Sequence, residues 1–178
     1  MDKKVIAQLI DEKHNALIDW LEQQPEASWT KGPEGKWTTG QHTLHLLQSI
    51  KPLNFALSLP KFVLKFKFGK ANRPVRPYDA IVKRYKERLE QAKGITYKGS
   101  QNMKVPTIKE KAYVLNSLQT ESKKLQYKTQ KMNDSHLDKL ILPHPLMGKM
   151  PIREIIMWTA HHVEHHNDTL KEKYNFNG

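Results

Sequence analysis

The sequence predicts an all-α protein, an antiparallel four-helix bundle with an extra short helix and long connections. Three observations carry that prediction. Apolar residues recur at three- and four-residue steps over most of the chain. No stretch alternates convincingly in the manner of a strand, although KFVLKFKF, from Lys61 to Phe68, is short enough to be ambiguous. Proline and glycine gather mainly between the periodic stretches.

The first helix is expected from Lys3 to Gln23, with Val5, Ile6, Leu9, Ile10, Leu17, Trp20 and Leu21 along one stripe and Pro25 beyond its end. Thr38 or Thr39 then caps a second helix, which runs through Leu44, Leu47, Ile50, Leu53 and Leu57 toward Pro60, with Pro52 placed to kink it. Pro74 and Pro77 punctuate a connection into a shorter helix from about Tyr78 to Lys93, whose inner stripe is Ile81, Val82, Tyr85 and Leu89 and whose stop is Gly94. Another long helix starts just after Val105, with Pro106 and Thr107 at its head and Ile108, Leu115, Leu118 and Leu125 facing inward. The segment from Leu140 to Pro151 holds Pro143, Pro145, Gly148 and Pro151, which reads as irregular, and it leads into a last helix from about Ile152 to Tyr174.

A length of 178 residues fits one domain, residues 1–178. The chain has no cysteine, which excludes disulfides, thiolate metal sites and a cysteine nucleophile, so a metal would have to be held by nitrogen and oxygen. The start, MDKKVIAQLIDEKHN, mixes charges into a short apolar pattern and reads as neither a signal peptide nor a span; a cytoplasmic protein is expected. A formal charge of +12 makes attraction to nucleic acid or anionic membrane physically reasonable. Its densest source is Lys61 to Arg76, six positive charges with no acid and with Phe62, Phe66 and Phe68 interleaved. That segment supports two readings: a grip on single-stranded nucleic acid or a membrane surface, or a solvated connection whose phenylalanines tuck under the bundle while lysine stems reach outward. The second is the favoured one.

The chemistry concentrates in the last helix, in the run AHHVEHHNDTL, where His161, His162, His165 and His166 fall within six residues. Two pairs have the one-turn spacing that lets imidazoles converge on one ion. A helical wheel places His166 about 40° and His162 about 80° from the apolar centre, against roughly 180° for His161 and 140° for His165. The inner pair is therefore His162 and His166, and His161 and His165 are expected on the solvent side. A catalytic zinc-type centre takes three protein ligands and leaves a position open. The second helix offers the third in WTTGQHTLHLLQS, where His45 flanks the apolar direction by about 100° and His42 by about 160°, which favours His45.

At these residues the sequence resembles the DinB and YfiT-like superfamily of helical bundle proteins. The resemblance rests on Trp37, Thr38, Gln41, His45 and Ser49 at the second helix, on Trp158, His162, His166 and Leu170 in the last helix, and on the lead-in HPLMGKMPIREII from His144 to Ile156. It covers the lysine-rich middle poorly. It implies an up-down-down-up bundle that often pairs as a homodimer, with His45, His162 and His166 forming an open site for nickel, zinc, manganese or iron. It also implies a small-molecule substrate, turned over either by a thiol-dependent transferase using a low-molecular-weight thiol or by a metal-assisted hydrolase. Neutral imidazole suits several of these ions.

The residues around the site have plainer readings. Gln41 and Gln48 read as solvated glutamines rather than groups that orient a ligand, Glu164 as a surface acid rather than a general base, and Trp158 as packing rather than pocket wall. His14, His136 and His144 read as surface or structurally bonded groups. Three classes of function follow: a metal-dependent transferase or hydrolase, a non-catalytic metal-binding bundle, and a basic nucleic-acid or membrane-binding protein.

Overall fold

The computed structural model describes residues 1–92 and 103–174; the expected helix end at Lys93 and Gly94 lies outside them. Among the described residues the chain forms seven α-helices and one small antiparallel sheet.

Helix α1 (Lys3–Gln23) starts on Asp2, whose carboxylate accepts the Lys4 N–H at 2.7 Å, and buries Ile6, Ile10, Leu17 and Leu21. Val5, expected inside, is exposed one position off that stripe, and Trp20 is half-buried. After a 3-10 turn at Glu26–Thr30, helix α2 (Thr39–Ser58) opens on a capping box. Thr38 Oγ1 accepts the Gln41 N–H at 3.2 Å, and Gln41 Oε1 accepts the Thr38 N–H at 2.8 Å. Gln41 is therefore a buried structural residue, not a solvated one, and its Nε2 also donates to Met103 O at 2.7 Å. The head of α2 sits tightly on its surroundings: a Cβ at Gly40 would lie 2.8 Å from both Pro106 Cγ and Trp29 Cε2.

The basic segment is not a bare connection. Lys61–Phe68 forms helix α3, closed by Gly69 at φ 90°. Residues 73–77 lead into α4 (Tyr78–Gln91), and that link is tied to the core by Glu154, which is fully buried and accepts from both terminal nitrogens of Arg73 and from Arg76 N–H. A 3-10 turn at Ile108–Glu110, capped by Thr107, precedes α5 (Lys111–Lys131); Ile108 lies in the turn and is exposed rather than inward.

A short α6 (Asp134–Lys139) leads into β1 (Ile141–His144), which pairs with β2 (Gly148–Pro151) from Ile141 against Pro151 to His144 against Gly148. The segment expected to be irregular is thus a hairpin. Each strand of a two-stranded ribbon has an open edge, which accommodates prolines that a central strand would reject, and Gly148 supplies φ 75° where the chain re-enters.

The last helix, α7 (Ile152–Lys173), is the axis of the molecule. Helices α1 and α2 each pack on both α5 and α7, so the two long amino-terminal helices stand at opposite corners of a four-helix arrangement. Helix α4 covers a further side of α7, and α3 lies on β1. No described helix is long and apolar enough to cross a membrane.

Candidate metal centre

Helix α7 brings His162 and His166 to one side, one turn apart, and α2 brings His45 to meet them. His162 Nε2 lies 3.2 Å from His45 Nε2 and 3.1 Å from His166 Nε2. One ring nitrogen of each of the three falls within 4.8 Å of the others. Two nitrogens about 2.0–2.1 Å from a single tetrahedral ion stand about 3.3 Å apart, so the spacing and the nitrogen donor set are compatible with a divalent metal.

The electrostatics favour the same use. Burial, followed by repulsion from His165, lowers His45 to about 4. Burial and then their histidine neighbours push His162 and His166 well below the ordinary value. All three are neutral at pH 7 and present lone pairs rather than charges.

His42, set aside on the helical wheel, stands behind the cluster. Its Nδ1 is 2.8 Å from His166 Nδ1, and its Nε2 is 2.9 Å from Tyr174 Oη. Tyr174 donates its hydroxyl proton to Trp37 O at 2.7 Å, so its oxygen accepts the Nε2–H of His42. Burial, then His45 and His165, lower His42 to about 4, so at pH 7 it carries one proton. With that proton on Nε2, its Nδ1 accepts from the Nδ1–H of His166, and His166 Nε2 is left with a lone pair facing His45 and His162. No sequence signal marks Tyr174, at the end of α7, as the anchor of this chain.

Rings complete the shell. Trp37 lies parallel to His166 at 6.3 Å, and Trp158 stacks on His162 at 4.5 Å. The cluster forms part of the wall of a cavity of about 810 Å³. The cavity is bounded mainly by apolar side chains of α2, α3, α4, the hairpin and α7, including Phe55, Leu59, Phe68, Leu142 and Ile155, and no carboxylate of the described residues lines it. His144 and Trp158 line it too, and their Nε2 and Nε1 atoms are buried with no hydrogen-bond partner among the described residues. His144 Nδ1 accepts the backbone N–H groups of Leu146 and Met147. Its proton therefore sits on Nε2, making the ring a neutral donor in the cavity wall.

Two expectations for the outer histidines need correction. His161 is buried, because α4 covers that side of α7 and sets Tyr78 and Tyr85 edge-on to its ring. His165 is half-buried and lines the cavity beside Tyr85. Glu164 pairs with Lys13 and receives a contact from His161 Nδ1 at 3.1 Å, so it is tied to α1 rather than solvated, and it faces away from the cluster. Gln48 is exposed at the cavity rim. His14 is buried with Nδ1 bonded to Ile10 O, and His136 is exposed.

A bundle whose interior gathers neutral imidazoles beside an apolar cavity defines a class of candidate metalloproteins. The chain belongs to the DinB superfamily, whose family model matches residues 9–170. No curated protein and no solved structure matched the chain.

Proposed function

We propose that this chain is a metal-dependent enzyme of the DinB type that binds one divalent ion through His45, His162 and His166 and acts on a largely apolar small molecule held in the adjoining cavity. The observation that carries this reading is the position of the three-histidine cluster in the wall of an apolar cavity of about 810 Å³, where free coordination positions would face a ligand. A non-catalytic structural centre would need no such cavity.

Bound there, nickel, zinc, manganese or iron(II) would supply a Lewis acid that lowers the pKa of a coordinated thiol or water. A coordinated thiol and a coordinated water each need only the loss of one proton, and no carboxylate of the described residues lines the cavity to take it. His165 can accept that proton, since burial lowers its pKa and keeps it neutral at pH 7. The same base serves a thiol-dependent transferase or a metal-assisted hydrolase. Apolar walls at Leu142 and Ile155 hold the substrate body.

The test begins with metal content of untagged protein by plasma mass spectrometry. Wild type and the exposed-site control His136→Ala should carry near-stoichiometric metal that His45→Ala, His162→Ala and His166→Ala each lose. Cobalt-loaded wild type should then develop a thiolate charge-transfer band with small thiols. Protein that stays empty after incubation with all four ions ends the metal reading; loaded protein that binds no thiol but cleaves apolar esters shifts it to hydrolysis.

A further inference from the structure

Helix α3 presents a face that the metal centre does not use. Leu64 is buried and Phe68 partly so, one turn apart on the side against β1. Phe62 and Phe66, also one turn apart, point the other way and are 74% and 94% exposed. Phe55, near the end of α2 and in the wall of the cavity, is 69% exposed. Phenylalanines tucked under the bundle, as expected from the sequence, are thus found only at Phe68. Solvated phenyl rings are costly to display, and exposed apolar faces of this kind mark surfaces that meet another phase or molecule.

The charges around these rings are sorted. Of the six cations from Lys61 to Arg76, Arg73 and Arg76 are bound to Glu154, and Lys61 Nζ donates to Leu57 O and Leu59 O. Lys65, Lys67 and Lys70 remain exposed around the phenyl face, with no acid in the segment to offset them.

We propose that α3, together with Phe55, docks this protein on an anionic lipid surface, with Phe62 and Phe66 entering the headgroup and acyl boundary and Lys65, Lys67 and Lys70 meeting the lipid charges. Interleaved phenyl rings and lysines on a short helix have the chemistry of an interfacial anchor. A single-stranded nucleic acid fits less well, because such partners run through a positively charged groove, whereas the two most exposed rings stand on the outward side of a helix. The placement also has a consequence for the cavity. Lys67, Phe68 and Phe55 belong to its rim, so docking brings that rim to the region where apolar molecules concentrate. The proposal does not depend on a metal.

Co-sedimentation of the full chain with vesicles tests it, using phosphatidylcholine alone and phosphatidylcholine with phosphatidylserine at low and high salt. Wild type should bind the anionic vesicles, weakly or not at all the neutral ones, and less at high salt. Phe62→Ser with Phe66→Ser should weaken binding by at least about tenfold, and Lys65→Gln and Lys67→Gln by about fivefold each. All four sites are exposed, so circular dichroism melts should match wild type. His45→Ala should bind vesicles as wild type does, which separates this result from failure of the metal centre. Three results overturn the proposal: no binding to anionic vesicles, whether or not an oligonucleotide is bound instead; binding that the phenylalanine and lysine variants leave unchanged; or a dimer in sedimentation velocity that the phenylalanine variant alone dissolves, with vesicles ignored, which would make the face an interface between copies.

Discussion

His42 Nδ1 stands 2.8 Å from His166 Nδ1, and this contact decides which nitrogen of His166 is free for a metal. The chain from Trp37 O through Tyr174 and His42 holds the His166 proton on Nδ1. His42→Phe should therefore keep the fold but lower metal affinity by about 10–100-fold, the usual loss when an outer partner of a ligand is removed. Chelator competition measures the loss. Long-range proton–nitrogen correlation in metal-free protein should show His166 as the Nδ1–H tautomer in wild type and a mixture in the variant. Unchanged affinity together with an unchanged tautomer would remove His42 from the site.

Gly40 is the point where the first turn of α2 meets the 3-10 turn and the loop before α5. A methyl group there would meet Trp29 O at 2.9 Å, and that backbone cannot swing aside as a side chain would. Gly40→Ala should cost about 1–3 kcal/mol by urea unfolding. Because His45 lies more than a turn further along, metal stoichiometry should survive. A variant as stable as wild type would mean that the α2 head is free to shift.

His14 predicts a pH dependence. Burial lowers it to about 4 in the folded protein from an ordinary 6.5. Between these values the unfolded chain binds more protons than the folded one, so stability falls as pH drops from 6.5 toward 4 and has no slope from this group above about pH 7. Over pH 6.5 to 4.5 the loss attributable to His14 is about 2 kcal/mol. Urea unfolding of wild type and His14→Leu across that range should show the smaller decline in the variant; parallel declines would deny His14 the role.

Glu154 is buried among charges of the opposite sign. Burial alone would raise its pKa, but hydrogen bonds from Arg73 and Arg76 N–H outweigh it and hold the carboxyl below the usual range. Glu154→Gln leaves two arginines without their counter-charge and should cost about 3 kcal/mol. Because those arginines anchor residues 73–77, limited proteolysis should cut that link faster in the variant. Equal stability and equal cleavage would make the pair dispensable.

The parts of this protein legible in its sequence are those set by local rules. Helical periodicity placed α1, α2 and α7 to within a few residues, because each long helix must bury one stripe, while α5 begins only at Lys111, after a 3-10 turn that occupies its expected first turn. The cap of α2 was legible as Thr38 or Thr39 for a similar local reason, since a threonine side chain there can accept a free N–H of the first turn, and the structure uses Thr38 for Gln41 N–H. The convergence of His162 and His166 followed from a spacing that a helix turns into proximity. The hairpin at 141–151 was not legible, because prolines count as breakers until the ribbon is known to have open edges.

What the sequence determined by itself, then, was the number of long helices, the side of α7 that carries the inner histidine pair, and the absence of any thiolate ligand. Tertiary structure decided the rest, because it depends on which surfaces meet. Only the approach of α2 to α7 brings His45 to His162, and only the end of α7 supplies Tyr174 to orient His42. The packing of α4 on the outer side of α7 buries His161, which a wheel with a single core direction had turned to solvent. The seating of α3 on β1 through Leu64 and Phe68 leaves Phe62 and Phe66 facing outward. Each outcome turns on contacts between residues far apart in the chain, and local periodicity carries no information about them.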